Sequence, residues 1–211
     1  MANTAKENIL KKIRQALAQP VPVPFPQSEG NDSVYVASQQ ELEIEFAENF
    51  TKLSGRFSFC ANGKELTEQL NILSTTRKWK NIFCNEYVLK QNLMHLETVL
   101  QQNDLPACDA SITTCEALVA RTGSILLSSA STSGRTVSVY APVHICIAYT
   151  SQLVFDIKDA LQLIKEKYPD QIPSLITLAT GPSRTADIEK TLVVGVHGPK
   201  EVFCFLVDDA Q

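Results

Sequence analysis

The stretch LITLATGPSRTADIEK, residues 175 to 190, runs from an apolar segment through a glycine–proline turn into polar residues. Leu175 to Ala179 has the composition of a buried strand, and Gly181 and Pro182 break it. Asp187 and Glu189 suit the first turn of a helix, where acidic side chains meet the positive end of the helix dipole. A strand, a tight turn and a helix in succession form the repeating unit of α/β folds. The same turn has the makings of a ligand site, because a strand-to-helix turn leaves unpaired backbone N–H groups at the carboxyl edge of a sheet, where anions bind. Arg184 adds a forked donor for carboxylate or phosphate, and Ser183 and Thr185 add hydroxyls. The competing structural interpretation pairs Arg184 with Asp187 or Glu189 and makes the turn a helix cap.

Earlier in the chain the alternation repeats. Leu42, Phe46, Phe50 and Leu53 share one face of a helix opened by a Ser38–Glu41 capping box and ended by Gly55. Arg56 to Cys60 reads as a strand, Leu66, Leu70 and Leu73 as a helix face, and Asn81 to Cys84 as a strand. The spacing of Leu89, Leu93, Leu96 and Leu100 predicts one long helix that also carries His95. From residue 110 the rhythm changes to a short helix (115 to 120) and strands at 124 to 128, 136 to 140 and 143 to 150. Helix and strand then alternate again at 156 to 167, 175 to 179, 185 to 193 and 202 to 207. The pattern predicts an α/β fold with a Rossmann-like mixed sheet flanked by helices.

The N-terminus stands apart. Thr4 to Glu7 reads as a capping box for an amphipathic helix over residues 4 to 18, with Ile9, Leu10, Ile13 and Leu17 on one side. Four prolines in the seven residues from Pro20 to Pro26, and a polar run to Ser33, make an extended strap. The expected organisation is a helical arm over 1 to 33 and one domain over 34 to 211.

A net charge of -4 supplies no field to collect nucleic acid or an anionic membrane. No apolar run approaches the roughly 20 residues that cross a bilayer, and no signal-peptide core is present, so cytoplasm is the expected location. The first helix is mildly basic, as organelle presequences are, but Glu7 and its single Arg oppose that interpretation. The six cysteines include no C-x-x-C pair, so no metal site and no bound cofactor are expected. Cys60, Cys84 and Cys146 sit in apolar runs as small buried hydrophobes.

Two further loops carry ligand-binding chemistry. Thr122-Gly123-Ser124 and the small-residue run Ser128 to Arg135, with Gly134 and Arg135 at its end, offer glycines for close approach, hydroxyls and a guanidinium. Ordinary hairpin chemistry uses the same residues. His197, in the turn Gly195 to Pro199, is placed to face a ligand or cap a backbone group, whereas His144, in an apolar strand, reads as a hydrogen-bonded core residue. The candidate ligand-binding set is therefore Thr122, Gly123, Ser124, Gly134, Arg135, Gly181, Pro182, Ser183, Arg184, Thr185, Asp187 and His197. Arg135 and Arg184 are expected to point into one cleft.

Taken together, GPSRTADIEKTLVVGVHGPKEVFCFLVD (181 to 208), SGRTVSVYAPVHICI (133 to 147) and TTCEALVARTGSILL (113 to 127) resemble the lactate utilization protein C (LutC/YkgG) family of the LUD-domain superfamily. Arg121 stands where that family usually carries Glu, and Glu116 where it carries Asp. The resemblance implies a fold like that of the sugar-phosphate isomerase and CoA-transferase group (NagB/RpiA/CoA transferase-like). It also implies a part in oxidising L-lactate to pyruvate beside iron–sulfur partner proteins that hold the clusters. A stand-alone enzyme for a phosphorylated or CoA-linked small carboxylate, and a regulatory or assembly module without turnover, are the alternatives. A homo-oligomer is also left open.

Overall fold

The computed structural model describes residues 5–18, 38, 40–96, 99–101, 104–188, 191–195 and 197–209. They fall into two units, 1–37 and 38–211. The first holds helix α1 (Ala5–Leu17), on which Ile9, Leu10 and Ile13 are exposed. Thr4 and the proline-rich strap lie outside the described residues.

The second unit is built on a six-stranded sheet of β1 (Arg56–Cys60), β2 (Asn81–Phe83), β3 (Val99–Gln101), β4 (Ala110–Thr113), β7 (Val143–Tyr149) and β12 (Glu201–Val207). Its order is β1-β12-β7-β4-β2-β3, and every pairing is parallel. Strands of such a sheet are covered on both faces and become near-continuous apolar runs, as Phe203 to Val207 and Ile145 to Ala148 do. Alternate residues then serve two cores. Val143, Ile145, Ile147, Phe203, Phe205 and Val207 pack with Leu66 and Leu70 of α3 (Gly63–Arg77) and Leu89 of α4 (Tyr87–Asn92). Cys146, Ala148, Val202, Cys204 and Leu206 face the other way, onto Phe46 and Phe50 of α2 (Leu42–Lys52).

That second core is closed by a four-stranded sheet of β5 (Ala117–Val119), β6 (Ser124–Ser128), β8 (Leu153–Val154) and β9 (Ile176–Ala179), in the order β8-β5-β6-β9. Leu118 and Ile125 point inward, while Ala117, Val119 and Leu126 pack on Ala160 and Ile164 of α6 (Ile157–Lys167). The antiparallel pairings expected of a mixed sheet are found here, between β5 and β6 and between β6 and β9, and not in the main sheet. A short helix α5 (Val137–Tyr140) and a separate hairpin, β10 (Arg184–Ile188) with β11 (Thr191–Val194), complete the unit.

In the main sheet β2 leads outward to the edge strand β3, whereas its neighbour β4 leads the opposite way, to β7 and then β12. The order in which the chain crosses the sheet therefore reverses between the parallel strands β2 and β4, and the crevice outside their carboxyl ends is a topological switch point, where ligands of open α/β sheets bind.

Several local expectations are overturned. Residues 184 to 188 form a strand paired antiparallel with 191 to 194, so no helix follows the Gly181–Pro182 turn and no helix dipole faces it. The leucine-spaced helix stops at Asn92, His95 lies in a turn, and Val99 begins a strand. Residues 117 to 119 are a strand and 137 to 140 a helix. Helix α2 starts at Leu42, with Glu41 as an N-cap that makes no side-chain bond; the Ser38 hydroxyl instead donates to Gln40 and Glu45.

Candidate functional site

The turn that ends β9 is shaped by contact with α2. Gly181 has φ +80°, and a Cβ there would lie 2.5 Å from the Leu53 carbonyl oxygen, so only glycine lets the chain pass. Three residues on, Arg184 reaches back to the same helix end: one terminal nitrogen donates to Leu53 O at 2.6 Å and to Ser54 Oγ at 2.8 Å. Ser183 is held by its backbone, donating to Pro199 O and accepting from Gly195 N, both at 2.9 Å. These bonds draw the 181–184 and 197–199 turns together.

Between them opens a cleft of about 320 Å3. Gly181, Pro182, Ser183, Arg184 and His197 line it, with Thr180, Ser138 and the apolar Leu127 and Val202. Its lining holds a guanidinium, imidazoles and hydroxyls, and no carboxylate among the described residues. Arg184 has N–H groups beyond the nitrogen bound to α2, and an exposed guanidinium with donors to spare can fork onto a carboxylate or phosphate. His144 forms part of the floor. Its ring is buried, with Nε2 2.9 Å from Thr113 Oγ1, and burial pushes its pKa down to about 4, so it is neutral near pH 7.

Thr122, Gly123 and Ser124 reach this cleft only at second hand. Thr122 Oγ1 donates to Ser124 Oγ at 2.8 Å, and Ser124 Oγ lies 2.8 Å from Thr180 Oγ1, so a line of hydroxyls runs from the loop to the cleft wall. Gly123, at φ +59°, packs on the backbone of Asn49 and Phe50. Arg135 does not line the cleft: its terminal nitrogen donates to Ser174 Oγ at 2.6 Å, before β9. Neither Arg135 nor Gly134 is among the residues that line the cleft with Arg184. Thr185 and Asp187 lie in β10, with side chains outside the described set, as is Glu189. Thr180 and the Leu53–Ser54 anchor were not in the sequence-derived set, since nothing local to them signals that they meet this turn.

Arg121 is engaged in structure. It forms an ion pair with Asp156, the N-cap of α6, and the Arg121 hydrogen bond holds that carboxyl below its usual pKa. All six cysteines are free and buried, and burial pushes the Cys60 and Cys84 thiols up to about 11, which leaves them as packing groups. Among the described residues no group of three or more His, Cys, Asp or Glu is arranged to hold a metal ion. No described helix is long and apolar enough to cross a membrane.

A parallel α/β sheet backed by a smaller sheet defines an open-sheet domain, a class whose ligand sites lie at the carboxyl edge of the sheet or in clefts between its layers. The LUD domain model matches residues 80–207, and the chain belongs to that family. It is 41% identical over 100 residues to lactate utilization protein C of Bacillus licheniformis, covering 46% of this chain and 42% of that protein. It is 34% identical over 126 residues to lactate utilization protein C of Bacillus velezensis, covering 59% and 50%. The matched region thus spans about half the length of these curated relatives or less. A crystal structure of a DUF162 family protein from Deinococcus radiodurans superposes with a TM-score of 0.60 at 17% identity, over 82% of this chain and 99% of that one. That likeness establishes the shared fold.

Proposed function

We propose that this chain takes part in lactate utilization, in the cytoplasm, as a component that holds a small carboxylate rather than an iron–sulfur cluster. The observation that carries the proposal is the cleft of Ser183, Arg184 and His197, whose polar lining offers donors and, among the described residues, no competing carboxylate. The relatives named lactate utilization protein C support the metabolic setting. Oxidation of L-lactate to pyruvate releases two electrons and two protons, and in this proposal iron–sulfur partner proteins carry the electrons. Arg184 fixes the carboxylate, the Ser183 hydroxyl and His197 orient its other end, and the apolar Leu127 and Val202 accommodate the methyl group.

Calorimetric titration with lactate, pyruvate, phosphate and CoA tests the proposal on wild type and Arg184→Ala. The expected result is selective binding of a small carboxylate that weakens at least about tenfold in the variant, as loss of a charged anchor does. The melting temperature should fall only slightly, because the guanidinium gives up two exposed hydrogen bonds. Equal binding by both proteins, with a large loss of stability in the variant, would make the turn a structural clasp.

A further inference from the structure

A separate cavity of about 220 Å3 lies at the switch point, walled by Glu86, Thr114 and Glu116 beyond the ends of β2 and β4, by Ser128 and Ser131, and by Lys167. Its two acids are treated differently. Glu116, whose side chain is 5% exposed, accepts from Lys167 Nζ at 2.8 Å, Ser128 Oγ at 2.5 Å and Tyr168 Oη at 3.0 Å. Burial works to raise its pKa, but the bonds from Lys167 and Ser128 outweigh burial and hold it below the usual value. Lys167 is thereby used up as a counter-charge.

Glu86 is 8% exposed and has no such partner. Its Oε1 accepts from Thr114 N at 3.0 Å and Ser133 Oγ at 2.6 Å, and its Oε2 from Thr114 Oγ1 at 2.6 Å. All three donors are neutral, and no Lys, Arg or His among the described residues forms an ion pair with it. A buried carboxylate is costly unless a cation meets it. Oε2 has room for another donor, and the residue faces a cavity rather than packed core. The volume falls below that of pockets for drug-sized molecules, which limits an occupant to a few heavy atoms.

We infer that the cavity between the carboxyl ends of β2 and β4 is a second ligand site, and that it takes a small primary amine whose ammonium group meets the Glu86 carboxylate. The ammonium neutralises the one charge left uncompensated, and the hydroxyl of Ser131 receives a polar substituent. The site is distinct from the proposed carboxylate cleft: the two share the apolar wall of Leu127 and no polar residue.

Titration of the full chain with ethanolamine, and with its uncharged counterpart ethylene glycol, tests the inference. Saturable binding of ethanolamine alone is expected, weakened at least about tenfold in Glu86→Gln. Lactate binding at the other cleft should not change in that variant. Should Glu86→Gln fail to fold, Ser131→Phe, at a half-buried loop position, fills the cavity from outside the core and should abolish ethanolamine binding. Absence of ethanolamine binding to wild type overturns the inference, as does equal affinity for ethylene glycol or unchanged affinity in a folded Glu86→Gln or Ser131→Phe protein. Loss of lactate binding in Glu86→Gln would move the carboxylate site here and overturn both assignments, whereas failure of the amine alone leaves the lactate proposal standing.

Discussion

Arg121 grips Asp156 through two hydrogen bonds, Nε to Oδ2 at 3.0 Å and a terminal nitrogen to Oδ1 at 3.1 Å. The pair ties the turn before β6 to the first turn of α6, which Asp156 caps. Arg121→Glu would set two carboxylates against each other and should destabilise the fold by roughly 1 to 2 kcal/mol, more than an exposed pair is worth because both side chains are largely covered. Asp156 has a folded pKa below its unfolded value. The pair's contribution is therefore full above about pH 4 and is lost as pH falls through the folded pKa. Urea unfolding at neutral and acid pH should show the gap between wild type and variant narrowing in acid. A constant gap would assign the loss to packing.

His144 adds acid sensitivity of the same sign in a higher pH window. Its folded pKa, about 4, lies below the unfolded value near 6.5, so the unfolded chain binds the extra proton between these limits. Stability is full above about pH 6.5 and declines toward pH 4, by an amount on the order of 3 kcal/mol. His144→Gln keeps a hydrogen-bonding group for Thr113 and removes the titration, so its stability curve should be flatter over that window. An unchanged slope would place the acid sensitivity elsewhere.

Gly123→Ala should cost on the order of 3 kcal/mol or more. The residue has φ +59°, and an added Cβ would lie 2.6 Å from the Asn49 carbonyl carbon and 2.8 Å from Phe50 Cα, and would press on the Phe50 amide. Backbone cannot swing aside as a side chain can. Asn49 Nδ2 also donates to Ala120 O at 3.0 Å and Arg121 O at 3.2 Å, so the displaced helix would give up those bonds too. Thermal melting measures the loss; a shift of a degree or less would mean that α2 moves freely.

The strands that the sequence announced are those buried on both faces, β7 and β12 above all, because a parallel sheet leaves an apolar run that no loop would carry. The misread segments show where pattern and structure part. Leu89, Leu93, Leu96 and Leu100 do all pack in one core, but a helix, a turn and a strand deliver them there, and spacing alone cannot tell that path from a single helix. Arg184 to Ile188 lacks alternation, and its strand form comes from pairing Arg184 with Val194 and Thr185 with Val193, partners the segment itself does not contain. Of the site, Gly181, Ser183, Arg184 and His197 could be singled out because glycine, proline, arginine and histidine in turns advertise themselves. Glu86 could not, since its contact with Thr114 depends on β2 lying beside β4.

The hairpin of β10 and β11 is bonded by strand pairing to neither sheet. An isolated two-stranded ribbon is marginal by itself, so it should open far more often than β7 and β12, whose amides await global unfolding. Arg184, at the head of that hairpin, is also a wall of the cleft proposed to hold a carboxylate. Under the proposed function, access to the cleft should then be uncoupled from the lifetime of the folded state: a ligand would enter on the clock of a flap, while the sheet behind it stays shut. Amide exchange should accordingly be rapid in Arg184–Ile188 and Thr191–Val194 in the free protein and slow once a carboxylate is bound, with β12 indifferent to both.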